Sequence, residues 1–229
     1  MKTTDKTLIY SLILSLTLSL FFLPNHISAA QTKPLAPIPV GTFSANNLEG
    51  WQEKTFDHKT SYQLVKQGEG TVLQAKSNRS ASGLFKNVNI DLTTHPFLNW
   101  KWKVDKGHPP LAERTKAGDD YAARIYIVTK RGLLFWKTKA IEYIWSSAAK
   151  KGATWPNAFA KKNDIILTIR SQEDTKGVWY QEKRNVYEDF KKVYGEEIKT
   201  VHAVAIMTDS DNSLGSAQAS YGDIFFTAN

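Results

Sequence analysis

The chain has 229 residues, of which 41% are hydrophobic and 12% aromatic, enough to fill the core of one large domain without covalent staples. It has no cysteine, which excludes disulfides, thiolate metal ligands and cysteine nucleophiles. With 30 basic against 22 acidic residues the net charge is +8. In a cytoplasmic protein that excess points to nucleic acid; outside the cytoplasm it points to cell-wall polymers, lipid headgroups or acidic glycans, or to a plain solvated surface.

The first 30 residues favour export. Lys2 and Lys6 form a basic start, and residues 8–23 are a 16-residue apolar run with only Ser and Thr as polar interruptions. That is short for a span of about 20 residues. Pro24 ends the run, and Ser28-Ala29-Ala30 supplies small residues for a signal peptidase. Residues 1–30 therefore read as a cleaved signal peptide, and the absence of cysteine excludes a lipoprotein anchor. Cleavage removes two lysines and Asp5, leaving a net charge of +7. The expected location is the periplasm, with full secretion as the alternative; no nucleic acid partner is expected, and no transmembrane segment after cleavage. Residues 31–39 hold three prolines and read as a linker, followed by a single domain over residues 40–229.

Strand patterns dominate that domain. Residues 61–67 and 71–75 alternate around Gly68-Glu69-Gly70, a hairpin signal. Residues 84–92 continue the series. In residues 97–105, Leu98, Trp100, Trp102 and Val104 point one way and Asn99, Lys101 and Lys103 the other. Residues 121–129, 139–147, 164–171, 177–183, 200–208 and 220–227 complete ten or so strands. One helix is expected after Asn185, which caps it with Glu188 at the third position, and Gly195 ends it. The fold class is all-β with one short helix: two antiparallel sheets packed as a β-sandwich.

Several stretches carry a resemblance: Ser80-Ala81-Ser82-Gly83-Leu84, Gly118-Asp119-Asp120-Tyr121-Ala122-Ala123-Arg124-Ile125-Tyr126, Arg184-Asn185-Val186, Met207-Thr208-Asp209-Ser210-Asp211-Asn212 and Tyr221-Gly222-Asp223-Ile224. Together they resemble an uncharacterised exported bacterial family, domain of unknown function 3047. The resemblance implies an exported β-sandwich and no particular activity. A weaker, fold-level resemblance runs to galactose-binding-like jelly rolls, the scaffold of many carbohydrate-binding modules.

The candidate site residues follow from strand geometry. Asp119 and Asp120 open a strand, where neighbours point to opposite faces, so the pair is not expected to share one site. Asp120, Ala122, Arg124 and Tyr126 share a face; Tyr121, Ala123 and Ile125 look like core. An arginine in a central strand needs a partner or water, so Arg124 reads either as a grip for a carboxylate, phosphate or sugar hydroxyl or as an ion pair with Glu142. If the faces bearing Lys101, Lys103, Glu142, Thr168 and Arg170 belong to one sheet, it offers a broad polar surface. Asp209, Asp211 and Asn212 end a strand in a loop with oxygen ligands suited to calcium, with Asp223 as a recruited ligand, and equally suited to a turn. Of the tryptophans, Trp136, Trp145, Trp155 and Trp179 lie near loops or strand ends, and Trp155-Pro156-Asn157 is the best exposed stacking platform. Arg184, at the strand-to-helix junction, is the remaining ligand candidate.

No histidine or phosphate-loop motif supports a nucleophilic or metal enzyme. The expected function is therefore binding of a carbohydrate or cell-envelope glycan, with no cofactor other than calcium. The alternatives are a carboxylate-dependent glycan hydrolase or lyase and a structural envelope protein. Expressed in a bacterium with its leader, the protein accumulates outside the cytoplasm with Gln31, or a residue within a few positions of it, as its first residue; intact-mass measurement of the exported form checks this, and a product retaining residues 1–30 contradicts it.

Overall fold

The computed structural model describes residues 35–130 and 138–229. The expected signal peptide over residues 1–30, the start of the expected linker and Trp136 lie outside the described residues. The elements run β1 (Ile38–Gly41), β2 (Trp51–Asp57), β3 (Ser61–Gln67), β4 (Gly70–Asn78), β5 (Ala81–Asp91), β6 (Phe97–Lys106), β7 (Arg124–Thr129), β8 (Lys139–Trp145), β9 (Thr154–Asn157), β10 (Lys161–Arg170), β11 (Tyr180–Asn185), helix α1 (Val186–Tyr194), β12 (Thr200–Met207) and β13 (Ser216–Thr227). They form two sheets. The first has the order β11-β6-β13-β4-β3, with β1 also on β13; the second has the order β2-β5-β12-β7-β8-β10-β9.

Alternation decides which side chains meet between the sheets. In β6, Leu98, Trp100, Trp102 and Val104 are at most 1% exposed. They face Ile125 and Ile127 of β7 and Ile141, Tyr143 and Trp145 of β8 in one continuous core. Trp100 stacks on Tyr143 with ring centroids 5.4 Å apart, and Trp102 meets Trp145 edge-on at 6.1 Å. Two sheets with interdigitating inner faces are a β-sandwich. Helix α1 forms as the sequence predicts: Asn185 Oδ1 accepts from Glu188 N at 3.1 Å, and Gly195 ends it with φ 68°, a left-handed conformation that costs glycine nothing sterically. Among the described residues no helix is long and apolar enough to cross a membrane.

The structure departs from the sequence reading in several places. Ile38 and Pro39, expected in the linker, belong to β1 and pair with β13. Strands β2 and β9 were not expected. The sheets are not wholly antiparallel, because β10 runs parallel to β8. Strand β7 begins at Arg124, not at Tyr121, so residues 119–123 are irregular. The polar faces do not form one surface either: Asn99, Lys101 and Lys103 lie on the outside of the first sheet, and Glu142 and Thr168 on the outside of the second. A bulge between Thr168 and Arg170 breaks the alternation, and Arg170 instead pairs with Glu182 at 2.6 Å and Asp174 at 3.0 Å. Lys101 and Lys103 hold their ammonium groups 5.5 and 5.7 Å from the centroid of Trp179.

Trp100 is fully buried at the meeting point of both sheets, so Trp100→Ala leaves a cavity that the surrounding strands cannot close. It is expected to destabilise the fold by about 3–5 kcal/mol, measured as a lowered midpoint in urea unfolding.

Candidate functional site

The outer face of the second sheet carries the chemistry. Its central strands present Arg124 and Tyr126 (β7), Glu142 (β8) and Asp164 (β10), the alternation partners of the inward residues Ile125, Ile141 and Ile165. The register sets Tyr126 against Glu142 and Asp164 against Ala140. Two long connections fold over this face. One leads from β6 to β7 and delivers Asp119 and Asp120; the other joins β8 to β10 through β9 and delivers Asn157 and Phe159. A second small apolar cluster of Tyr121, Ile144, Trp155 and Ile166 pins both connections to the sheet.

Two features hold the first connection. Glu113 is buried, and its carboxylate accepts from Ser146 Oγ at 2.5 Å and from Ser147 N and Oγ at 2.5 and 2.8 Å. Gly118 packs against backbone: a Cβ there would sit 2.5 Å from the carbonyl carbon of Ala112, so a side chain is excluded immediately before Asp119.

At the centre is the Arg124 guanidinium, 2% exposed. Its Nη1 donates to Glu142 Oε2 at 3.1 Å and lies 3.8 Å from Asp119 Oδ2. Its Nη2 donates to Asp119 O at 3.1 Å and to Asp209 Oδ2. Asn157 Nδ2 donates to Glu142 Oε1 at 2.8 Å and to Asp119 Oδ2 at 3.4 Å, and Asp209 Oδ1 accepts from Tyr121 N at 3.0 Å. Arg124 therefore ties together two loops and two strands.

The carboxyls outnumber the cation. Burial pushes Asp119 up to about 7 and Asp209 up to about 8, each against the opposing pull of Arg124. Asp164 is raised well above the usual carboxylate range by burial and then by the neighbouring Glu142. One guanidinium cannot balance four buried carboxylates in a low-dielectric site, and protons make up the difference. Asp120 goes the other way. Burial acts to raise it, but Ser213 N at 2.6 Å and Asn212 N and Nδ2 at 3.3 Å all donate to its carboxylate and hold it low.

Above this cluster lies a cleft of about 340 Å³ whose lining includes Asp119, Arg124, Asp164, Asp209, Asp211 and Asn212. Phe56 and Phe159, 66% and 53% exposed, also line it, with Tyr126, Asn157 and Met207. The structure thus brings together Asp119, Arg124, Asp209, Asp211 and Asn212 at the cleft, with Asp120 and Glu142 bonded to members of that set. The irregular backbone of residues 119–123 is what lets both Asp119 and Asp120 reach this region, which regular strand geometry forbids.

Three candidates fall elsewhere. Trp155 is buried, 5% exposed, with the Arg114 guanidinium 5.4 Å from its ring centroid; it is a packing residue and not a platform. Arg184 is occupied by Asp189 of α1. Asp223 accepts from Ser44 N and Oγ at 2.8 and 2.5 Å on the first sheet. The three carboxylates that do converge, with ligand oxygens within 4.8 Å of one another, are Asp120, Asp209 and Asp211. Asp164, Phe56 and Phe159 escaped the sequence reading, and Asn157 entered it only as part of the Trp155-Pro156-Asn157 loop. For Phe159 a signal existed, since it stands two residues beyond the Trp155-Pro156-Asn157 loop; for Asp164 and Phe56 none did.

Residues 49–225 match the model of a family described as Protein of unknown function (DUF3047). No curated protein matches the sequence. Among solved structures, the chain is similar to CBM28, a non-crystalline cellulose specific carbohydrate-binding module (12% identity over 86% of this chain and 93% of that one, TM-score 0.40). It is similar to a family 12 xyloglucanase from Bacillus licheniformis (8% identity, 85% and 97%, TM-score 0.40). It is also similar to the Endo-D glycoside hydrolase domain from Streptococcus pneumoniae R6 (10% identity, TM-score 0.39), matching 78% of this chain but spanning 22% of that one. These are coarse likenesses; the strand order and the shared core establish the sandwich.

The raised carboxyls fix the sign of a pH effect. Unfolded, they titrate near 4; folded, Asp119 and Asp209 titrate at about 7 and about 8. Between these limits the folded state holds more protons than the unfolded one, so their contribution to stability falls as pH rises from about 4 to about 8. Urea unfolding is expected to give a lower stability at pH 8 than at pH 5, with a shallower fall in Asp119→Asn. A wild-type profile that climbs across this window contradicts the protonated cluster.

Proposed function

The chain belongs to that family, whose description assigns no activity, and from the geometry of the cleft we propose that it is an exported protein that binds a carbohydrate or cell-envelope glycan on the outer face of its second sheet. The observation that carries the reading is the pair of exposed phenyl rings, Phe56 and Phe159, lining a cleft that is also lined by Arg124, Asn157 and Asn212. Large exposed aromatics cost hydration when nothing covers them. Beside convergent polar groups they suit a ligand with an apolar face and hydroxyl edges, which is the character of a sugar ring. The basic, apolar and small-residue order of residues 1–30 supports placing the protein in the periplasm or beyond, where glycans are the abundant polymers.

Calcium fits the cleft less well. Of the converging carboxylates, Asp120 already accepts from Asn212 and Ser213, and Asp209 from Arg124 and Tyr121. Few oxygens remain for an ion that takes six to eight.

A second reading, a carboxylate-dependent glycan hydrolase, is favoured by Asp119. Its carboxyl, pushed up to about 7, can hold a proton at neutral pH as a general acid must. Mass spectrometry of glycans after prolonged incubation separates the two: shortened products establish the hydrolase, and unchanged oligosaccharides retain the binding reading.

Calorimetric titration of a glycan panel into the mature protein tests the proposal. Phe56→Ala with Phe159→Ala is expected to weaken the bound glycan at least about tenfold while changing stability by no more than about 0.5 kcal/mol, as befits exposed positions. Undiminished affinity in the double variant excludes this cleft as the site.

A further inference from the structure

The cleft and the protein carry opposite charge. The chain as a whole is +8, yet the cleft lining includes Asp57, Asp119, Asp164, Asp209 and Asp211 against one cationic residue among those described, Arg124. That guanidinium is already engaged by Glu142, Asp209 and the carbonyl of Asp119. An anionic sugar would meet carboxylates and a cation with little left to offer.

The hydrogen-bond inventory points the same way, independently of charge. Asp119 and Asp164 are 4% and 8% exposed and line the cleft. Each has an Oδ1 that meets no donor, as does Asp211. On the cleft-lining side chains the matching unpaired donor is Arg124 Nε. Buried acceptors without donors are costly; in the empty cleft bound protons make up that shortage, and a ligand that brings N–H donors and positive charge takes their place and releases them. The walls add a preference. The faces of Phe56, Phe159 and Tyr126 are negative quadrupoles that attract cations, and Lys116 already holds its own ammonium 5.1 Å from the Phe159 centroid.

We propose that the ligand of this cleft carries a protonated primary amine, as a glycan containing hexosamine with a free amino group does, and that Asp119, Asp164 and Asp211 receive it. The inference rests on the glycan-binding reading and narrows it. An ammonium brings N–H donors and a positive charge together, the two things the lining's own side chains do not supply. A bare divalent ion satisfies the charge but leaves the aromatic lining unused, and the protein's own donors already occupy Asp120 and Asp209. N-acetylation of the amine removes the charge and two of the donors while keeping the sugar backbone.

The experiment is calorimetric titration of the mature protein at pH 6 with a glucosamine tetramer, its fully N-acetylated counterpart, a galacturonic acid tetramer and calcium chloride. The glucosamine tetramer is expected to bind at least about tenfold more tightly than the acetylated one. That advantage is expected to shrink toward unity in Asp164→Asn and in Asp211→Asn, the second being only partly buried and so less exposed to folding defects; circular dichroism confirms that each variant is folded. Equal or tighter binding of the acetylated tetramer overturns the amine inference and leaves the glycan reading standing, as does preferred binding of the galacturonic acid tetramer. Binding of calcium with none of the three sugars overturns both, and so does the absence of any heat.

Discussion

A single guanidinium buried among carboxylates organises this molecule. Arg124 stands at the start of a central strand and reaches Glu142 on the next strand, Asp209 at the end of another and the backbone of the loop before it. Removing a charge from such a set leaves the others buried and unpaired, which costs more than the pair itself contributes. The outer face of the second sheet is therefore built around one residue. The loops that cover it are held by ionic contacts at the centre and by the Tyr121, Ile144, Trp155 and Ile166 cluster at the rim.

That arrangement separates two tasks between the two faces of one sheet. Inward, the sheet packs Ile125, Ile127, Ile141 and Tyr143 against the tryptophans of β6 and supplies the apolar burial that drives folding. Outward, the alternate residues of the same strands assemble the polar site. Because side-chain direction has a period of two residues, a one-residue slip of β7 would exchange Arg124 for Ile125 and destroy core and site together. The apolar face thus enforces the geometry of the charged one.

The parts of this that the sequence discloses are those written in short range. The alternation of Leu98, Trp100, Trp102 and Val104, the hairpin at Gly68-Glu69-Gly70 and the Asn185 cap all lie within a few residues, and local rules suffice for them. The pairing of Arg124 with Glu142 and the shared face of Arg124 and Tyr126 follow from the same period. What escapes is set by tertiary placement. Asp119 and Asp120 look like strand residues by composition, but the contact of Gly118 with Ala112 and the anchoring of Glu113 hold that segment irregular. Trp155 looks like a surface platform because Pro and Asn follow it, but the β8–β10 connection turns its ring inward and leaves Phe159 outside. Asp164 gives no local sign of its place beside Glu142, since nothing in residues 161–170 records which strand lies alongside.

The parallel pairing of β8 with β10 has a mechanical corollary. Parallel neighbours cannot be joined by a tight turn, so the chain between them must travel across the sheet, and here it carries Asn157 to the acidic cluster and Phe159 to the rim. One amide thereby ties the overhanging connection to Glu142 of the sheet and to Asp119 of the β6–β7 connection. Swinging that overhang away would strip Glu142 of its amide donor, so opening the recess carries the cost of leaving a buried carboxyl oxygen unpaired.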